Sequence, residues 1–323
     1  MKDRYWKEPT LGWTEAVRQH YVPKMLLARF AVSRRIAVYI IEDGRTFSAT
    51  VNRIALASRF YDVAVARLAV SAETWLSQVE GAAAPVIERL VSNPDDLPRL
   101  SPADQNILAR FICALRFRSP TMREIDDQLR QQVLDHVKQV GKRWLEKEEP
   151  NDAEEIWRAW SRKPNEWFLH EDEPYQPAAM TAFLLGEVQG FANILLAMPW
   201  RIGLADPDQN VYSSDNPVVA HPIPTYSFPG FAWHVYFVPL SPRVVLKIGP
   251  GLSKDSVERR RADFSPWETW YIRHVVTNSA MRHLYGRGPY IPKQCAAACL
   301  RRLDTVSVAY AVLLQGFDPS ALH

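Results

Sequence analysis

The sequence predicts an α+β fold, with an N-terminal β-hairpin, a C-terminal mostly antiparallel sheet, and a large helical block between them. Three patterns lead to this reading. Residues 36–51, IAVYIIEDGRTFSATV, alternate apolar and polar on both sides of Asp43-Gly44, which predicts a two-residue hairpin with a type I′ turn. Through the middle of the chain, from about 70 to 198, apolar residues recur at helical spacing. After Trp200 the segments WRIGLAD, VYSSD, FAWHVYFVPL and RVVLKIG read as strands separated by Pro and Asp/Asn turns.

Taken in order, HYVPKMLLARF (20–30) places Pro23 where a first helical turn tolerates it, so a short helix should run to Phe30. In the hairpin, Ile36, Val38 and Ile40 should share a buried face with Phe47, Ala49 and Val51. Between 71 and 91, Trp75, Leu76, Val79, Ala83, Val86, Ile87 and Leu90 trace one helical stripe, and a second helix is expected from Pro102 to Arg118. Charged helices should follow at 120–148 and 152–161, and an apolar one near 180–198. In SPWE (265–268) a serine cap, a proline at the first helical position and a glutamate three residues after the cap predict a helix start. That helix is expected to carry Trp267, Trp270, Tyr271, His274, Asn278, Met281 and Tyr285 on one face, and TVSVAYAVLL (305–314) reads as a last strand. The whole is read as one α+β domain over 1–323, with the sheet-rich part at about 199–323 together with 20–55.

Composition narrows the function classes. A chain of 323 residues with 47% hydrophobic residues can bury a large core. The net charge of +3 does not argue for nucleic acid by itself, and Arg259-Arg260-Arg261 and Arg301-Arg302 read as solvated faces or local basic patches. The three cysteines are odd in number, and Cys295 and Cys299 have no histidine cluster close by, which favours reduced thiols in the cytoplasm over disulfides or zinc. No apolar h-region opens the chain, and the apolar stretch 177–200 is interrupted by Glu187, Gln189 and Asn193, so a buried helix is expected there rather than a membrane span.

Polar side chains on apolar faces mark candidate sites, because such groups must be paired or functional. Glu73 and Glu80 border the stripe of the first long helix, with Pro85 placing a kink just beyond Glu80. Glu80 either lines a pocket or pairs with an arginine. Arg118 ends the next helix, where it caps carbonyls, makes an ion pair or binds an anion. Glu187 falls in the apolar stripe of the 180–198 helix, so it is read as buried, in a salt bridge or in a site. Asn278 and His274 lie within the aromatic stripe, and Asn278 either fixes backbone or orients a ligand. Ser214-Asp215-Asn216-Pro217 ends a strand. Seen alone it is a turn, in which Asp and Asn bond local backbone and Pro217 extends Asn216; set beside the other misplaced groups, it is a candidate site.

HYVPKMLLARF, FYD (60–62), Glu73 with Glu80, RFRSP (116–120), SDNPV (214–218), PLSP (239–242) and Asn278 occur in an order that resembles domain of unknown function family 4238, from about His20 to Tyr285. Lys24-Met25 departs from the aromatic residue or glutamine expected after HYVP. The resemblance implies a common site without naming its reaction.

His20, Glu80 and Asp215 are the expected catalytic set, with Asn216, Arg118, Ser214, Glu187 and Asn278 binding substrate. Such a set suits hydrolysis of a phosphodiester or nucleic acid, with a divalent cation (Mg or Mn) as a cofactor it could use. None of the short metal signatures is present, nor is a phosphate loop or a Rossmann glycine pattern. A hydrolase triad on Ser214 lacks the GxSxG elbow. The alternative is a non-catalytic protein that binds or senses a small anionic ligand in the same pocket. The partners expected are a small anion or nucleic acid, and no membrane.

Overall fold

A computed structural model of the chain describes residues 10–11, 18–58, 60–65, 68–124, 139, 142–143, 187–206, 208–222, 234–249, 260–288 and 291. The helices expected at 120–148 and 152–161, most of the 180–198 helix, the strand at 305–314 and the Cys295/Cys299 pair lie outside them, apart from isolated helical residues at 120–124, 139 and 142–143.

The architecture is α+β. The strands are β1 (Thr10–Leu11), β2 (Arg18–His20), β3 (Arg35–Ile40), β4 (Thr46–Thr50), β5 (Leu56–Ser58), β6 (Asp62–Val65), β7 (Leu68–Ser71), β8 (Trp200–Leu204), β9 (Ser213–Ser214), β10 (Val219–Pro222), β11 (His234–Pro239), β12 (Val244–Ile248), β13 (Arg260–Asp263) and β14 (His283–Gly286). The α-helices are α1 (Lys24–Leu27), α2 (Glu73–Ser92), α3 (Pro102–Phe117), α4 (Val188–Leu196) and α5 (Pro266–Ser279). A five-stranded sheet has the order β10-β11-β12-β8-β13, and a four-stranded one β4-β3-β14-β9. Within these two sheets only β13 pairs in parallel, with β8. Small sheets β1-β7-β6 and β2-β5 complete the set among the described residues.

Both larger sheets are buried on two faces. In β12, Val244, Leu246 and Ile248 enter one core and Val245 the other; in β3, Ile36 and Val38 are divided from Ala37 and Tyr39 in the same way. The first core is closed by α2, α3 and α4, the second by α5. Each fully buried Leu, Ile or Phe contributes about 1.5–3 kcal/mol, so this layering holds the sheets between the helices. At Gly203 an added Cβ would lie 1.5 Å from the Phe264 ring, so only glycine lets that ring lie on β8.

Helix starts follow the sequence closely. Ser101 Oγ accepts the Asp104 amide at 3.1 Å ahead of Pro102. Ser265 and Glu268 form the full capping box ahead of α5. The HYVP helix runs through α1 and a 3-10 turn to Phe30.

Three expectations need correction. The hairpin register is as read, Ile36 opposite Ala49 and Val38 opposite Phe47. Its loop, however, spans Ile41–Gly44, because Ile40 bonds Arg45 and the Gly44 amide reaches the Ile40 carbonyl. Gly44 alone of the loop has positive φ, whereas a type I′ turn needs two such residues. β4 is an edge strand, so Phe47 stays 43% exposed instead of closing the buried face. Finally, α5 stops at Ser279 and Tyr285 belongs to β14, a central strand. An aromatic at helical spacing from Met281 imitated a helix that had already ended.

Candidate functional site

Helix α2 places Glu73 and Glu80 along one edge, and α3 delivers Arg118 to it as its C-terminal cap. Arg118 Nη1 donates to Glu80 Oε1 at 2.5 Å; the arginine side chain is 2% exposed and the glutamate 27%. Arg118 Nε and Nη2 are buried with no hydrogen-bond partner among the described residues. A buried guanidinium with one acceptor and two spare donors is an incomplete arrangement, since buried donors are normally satisfied.

His20 closes β2 beside this pair. Its Nε2 lies 3.3 Å from the Val51 carbonyl. A carbonyl only accepts, so the proton of the neutral ring sits on Nε2 and Nδ1 is left as an acceptor. Burial, then the charges of Lys24 and Arg118, hold the imidazole pKa below the ordinary 6.5, against the Val51 carbonyl and Glu80. Beneath His20, Tyr61 donates its hydroxyl to the His20 carbonyl at 3.0 Å, and its amide bonds Gln19 Oε1 at 2.6 Å. Burial raises the Tyr61 phenol pKa, with Arg118, Glu73, Glu80 and Arg123 acting on it, so these groups share one neighbourhood. The Arg123 guanidinium lies 3.4 Å from the Phe60 ring centroid.

The SDNP segment is built differently. Asp215 Oδ1 accepts the Met281 amide at 2.9 Å, and Oδ2 accepts those of Arg282 at 2.7 Å and His283 at 3.1 Å. Burial raises the Asp215 pKa against these amides and His283. Ser214 Oγ donates to the Asn216 carbonyl at 2.9 Å and accepts its amide at 3.1 Å. Asn216 Nδ2 donates to the Ser279 carbonyl at 3.2 Å, and its Oδ1 is buried without a partner among the described residues. Together Asp215 and Asn216 clamp the turn between α5 and β14.

The two clusters are neighbours. Tyr21 follows His20 in the chain, and its phenol feels Tyr285 and Asp215. From the last turn of α3, Arg116 donates to the Val218 carbonyl at 3.3 Å while Arg118 holds Glu80, so RFRSP reaches both.

Two expected binding residues lie elsewhere. Glu187 is exposed at the N-cap of α4, because the buried stripe there is Val188, Ala192 and Leu195, one residue out of phase with the expected one. Asn278 is exposed on α5, where its Nδ2 bonds the His274 carbonyl at 2.8 Å; the buried face is Thr269, Tyr271, Ile272, Val275 and Val276. Sequence reasoning gave no role to Tyr61 or Arg116, although both stood inside quoted motifs, FYD and RFRSP.

The family model described as protein of unknown function (DUF4238) matches residues 18–285. The chain belongs to this family. No curated protein and no solved structure matches it. The DUF4238 region contains both clusters and the arginines that join them. Among the described residues, no group of three His, Cys, Asp or Glu side chains converges as cation ligands, and no helix is long and apolar enough to cross a membrane. Among the described residues, His20, Glu80 and Asp215 do not converge as a three-ligand cation site, and both Asp215 oxygens accept backbone amides.

Proposed function

We propose that this DUF4238 chain is a hydrolase that cleaves a phosphodiester or nucleic acid at the His20–Glu80–Arg118 cluster. One observation carries the reading: Arg118 keeps two buried donor nitrogens, Nε and Nη2, without an acceptor among the described residues beside its ion pair with Glu80. Fixed guanidinium donors of this kind suit phosphoryl oxygens, and they would stabilise the charge that builds there during attack. His20 supplies the base. Its Nδ1 takes a proton from water as the water oxygen bonds to phosphorus; the ester P–O bond breaks, and the departing alkoxide takes that proton back from the imidazolium. Glu80 holds Arg118 in place, and Asp215, in this reading, shapes the site through the backbone and does no chemistry. The cysteine pattern supports a cytoplasmic location.

Cleavage of RNA, single-stranded DNA and cyclic nucleotides, with and without Mg²⁺ or Mn²⁺, tests the reading. His20→Gln should fold normally and lose about 100-fold or more in rate, the usual contribution of a positioned base. A His20→Gln protein with full activity would sink it. The second reading, a non-catalytic sensor of a small anion, draws on the three backbone amides that Asp215 accepts, a structural use for one of the three groups expected to do chemistry. Tight anion binding with no cleavage under any condition would establish that reading instead.

A further inference from the structure

The second face of the five-stranded sheet carries two cations that no ion pair joins to a carboxylate among the described residues. β12 sets Lys247 directly across from Arg201 on β8, and the register continues to Arg260 on β13. On its other side Lys247 stands opposite Phe237, with Nζ 5.9 Å from the ring centroid. Directly opposed residues project to the same face, here the one on which Phe237 enters the second core. Arg201 Nε is buried and has no hydrogen-bond partner among the described residues. Lys247 is half-buried, and burial, then Arg201, pull its pKa down to about 8, against Glu268. No hydrogen bond joins Glu268 to it among the described residues; Oε2 of that carboxylate accepts the Ser265 amide at 2.9 Å and the Ser265 hydroxyl at 3.0 Å, and its charge acts on Lys247 without contact. Like charges placed opposite each other are unfavourable, and more so with burial, unless an anion joins them.

Flat rings adjoin the pair. Phe237 meets Tyr271 edge to face at 6.4 Å, and Tyr271 stacks on Trp267 at 5.7 Å with the planes 6° apart. Trp267 is among the exposed large apolar residues, at 36%. We infer that Lys247 and Arg201 bind the phosphate of a small molecule that also carries a planar ring, a nucleotide in chemical class, with Trp267 on the ring side. This site lies on the opposite sheet face from the core that α2 and α3 close, and it does not depend on the hydrolase reading.

Calorimetric titration of the full chain with AMP, and separately with inorganic phosphate, at pH 7 and low salt tests it. AMP should bind more tightly than phosphate. Lys247→Met and Arg201→Gln should each weaken both ligands by about tenfold or more, the loss of a charge-assisted hydrogen bond. Trp267→Ala should weaken AMP alone, and His20→Gln neither. Thermal unfolding without ligand gives a second readout: Lys247→Met should raise the midpoint, because it removes the repulsion, and should reduce the upward shift that phosphate gives the unaltered chain. Absence of binding at millimolar ligand, unchanged affinity in both cation variants, or loss of binding in His20→Gln would overturn the assignment. Equal affinity for AMP and phosphate would overturn the part assigned to the ring.

Discussion

Glu80 and Asp215 both break an apolar pattern in the sequence, and the fold uses them in opposite ways. Asp215 has three backbone amides shared between its two oxygens, and it joins β9 to the turn that starts β14. Glu80 has one arginine partner, which itself keeps two donors in reserve, and a quarter of its side chain meets solvent. A carboxylate that accepts three local backbone amides holds its turn together. One whose partner still has unused donors belongs to an arrangement that a ligand can complete. The difference lies in hydrogen-bond bookkeeping, which residue type and spacing do not reveal.

The largest test of this contrast is Asp215→Ala. It leaves three amides without their acceptor in the interior, at about 1–3 kcal/mol for each unsatisfied group, so unfolding in urea should show a loss of about 3 kcal/mol or more. Against a total stability of roughly 5–15 kcal/mol, that brings the fold near its limit. Asp215→Asn keeps one acceptor oxygen and should lose less. An Asp215→Ala protein as stable as the parent but inactive would reverse the contrast and return Asp215 to the chemistry. Glu80→Gln should cost less, about 2 kcal/mol: it strips the charge partner from buried Arg118, but partial exposure of Glu80 screens the pair. Added phosphate should recover more of that loss in Glu80→Gln than in Asp215→Ala, where only the distant Lys247–Arg201 pair is left to take it. Equal recovery in both, or in neither, would show that the spare donors of Arg118 do not distinguish the two sites.

Much of the scaffold was legible in the sequence because its causes are local. The capping box at Ser265, the serine cap and proline at 101–102, and the stripe from Trp75 to Leu90 each need only neighbouring residues to be read. What could not be read depends on distant partners. β14 is four residues long and is a strand because β3 and β9 flank it. Glu187 looked buried because the stripe was drawn one residue out of phase, and only packing on α3 fixes the rotation of α4. For the candidate site, the residues His20, Glu80 and Arg118 were legible, and so was the choice between ion pair and pocket for Glu80. That the ion pair leaves two donors over depends on what surrounds the guanidinium in three dimensions. The cation pair at Lys247 and Arg201 was not legible at all, since strand pairing brings together residues more than forty positions apart.

A third effect comes from pH. His20, His221 and His283 all have pKa values below 6.5, with burial the first cause in each. Just below pH 6.5 the unfolded chain therefore binds more protons than the folded one, so stability present above that pH should fall as pH drops from 6.5 through the folded pKa values. Asp215 acts with the opposite sign. Its pKa is raised above 3.8, so its contribution to stability is full below that value and is lost as pH rises through the folded pKa. Urea unfolding across pH 4–7 should show the histidine decline first, and His20→Gln should lessen it. In the hydrolase reading the acid limb of the rate also lies below pH 6.5, because His20 must be neutral to act as base. A limb above pH 7 would separate the cluster from the chemistry while leaving the Asp215 clamp untouched.

The smallest expected effects lie outside both clusters. Asn278 and Glu187 are exposed, and Asn278 bonds back to its own helix at the His274 carbonyl. Asn278→Ala and Glu187→Gln should each change stability by less than about 0.5 kcal/mol, the usual range for surface positions, and should leave any cleavage or anion binding unchanged. If Asn278→Ala removes activity without changing stability, the family's site reaches α5. The ring surface of Trp267, Trp270 and His274 would then be its outer wall, and the line drawn between a structural carboxylate and a working one would have to take in that helix as well.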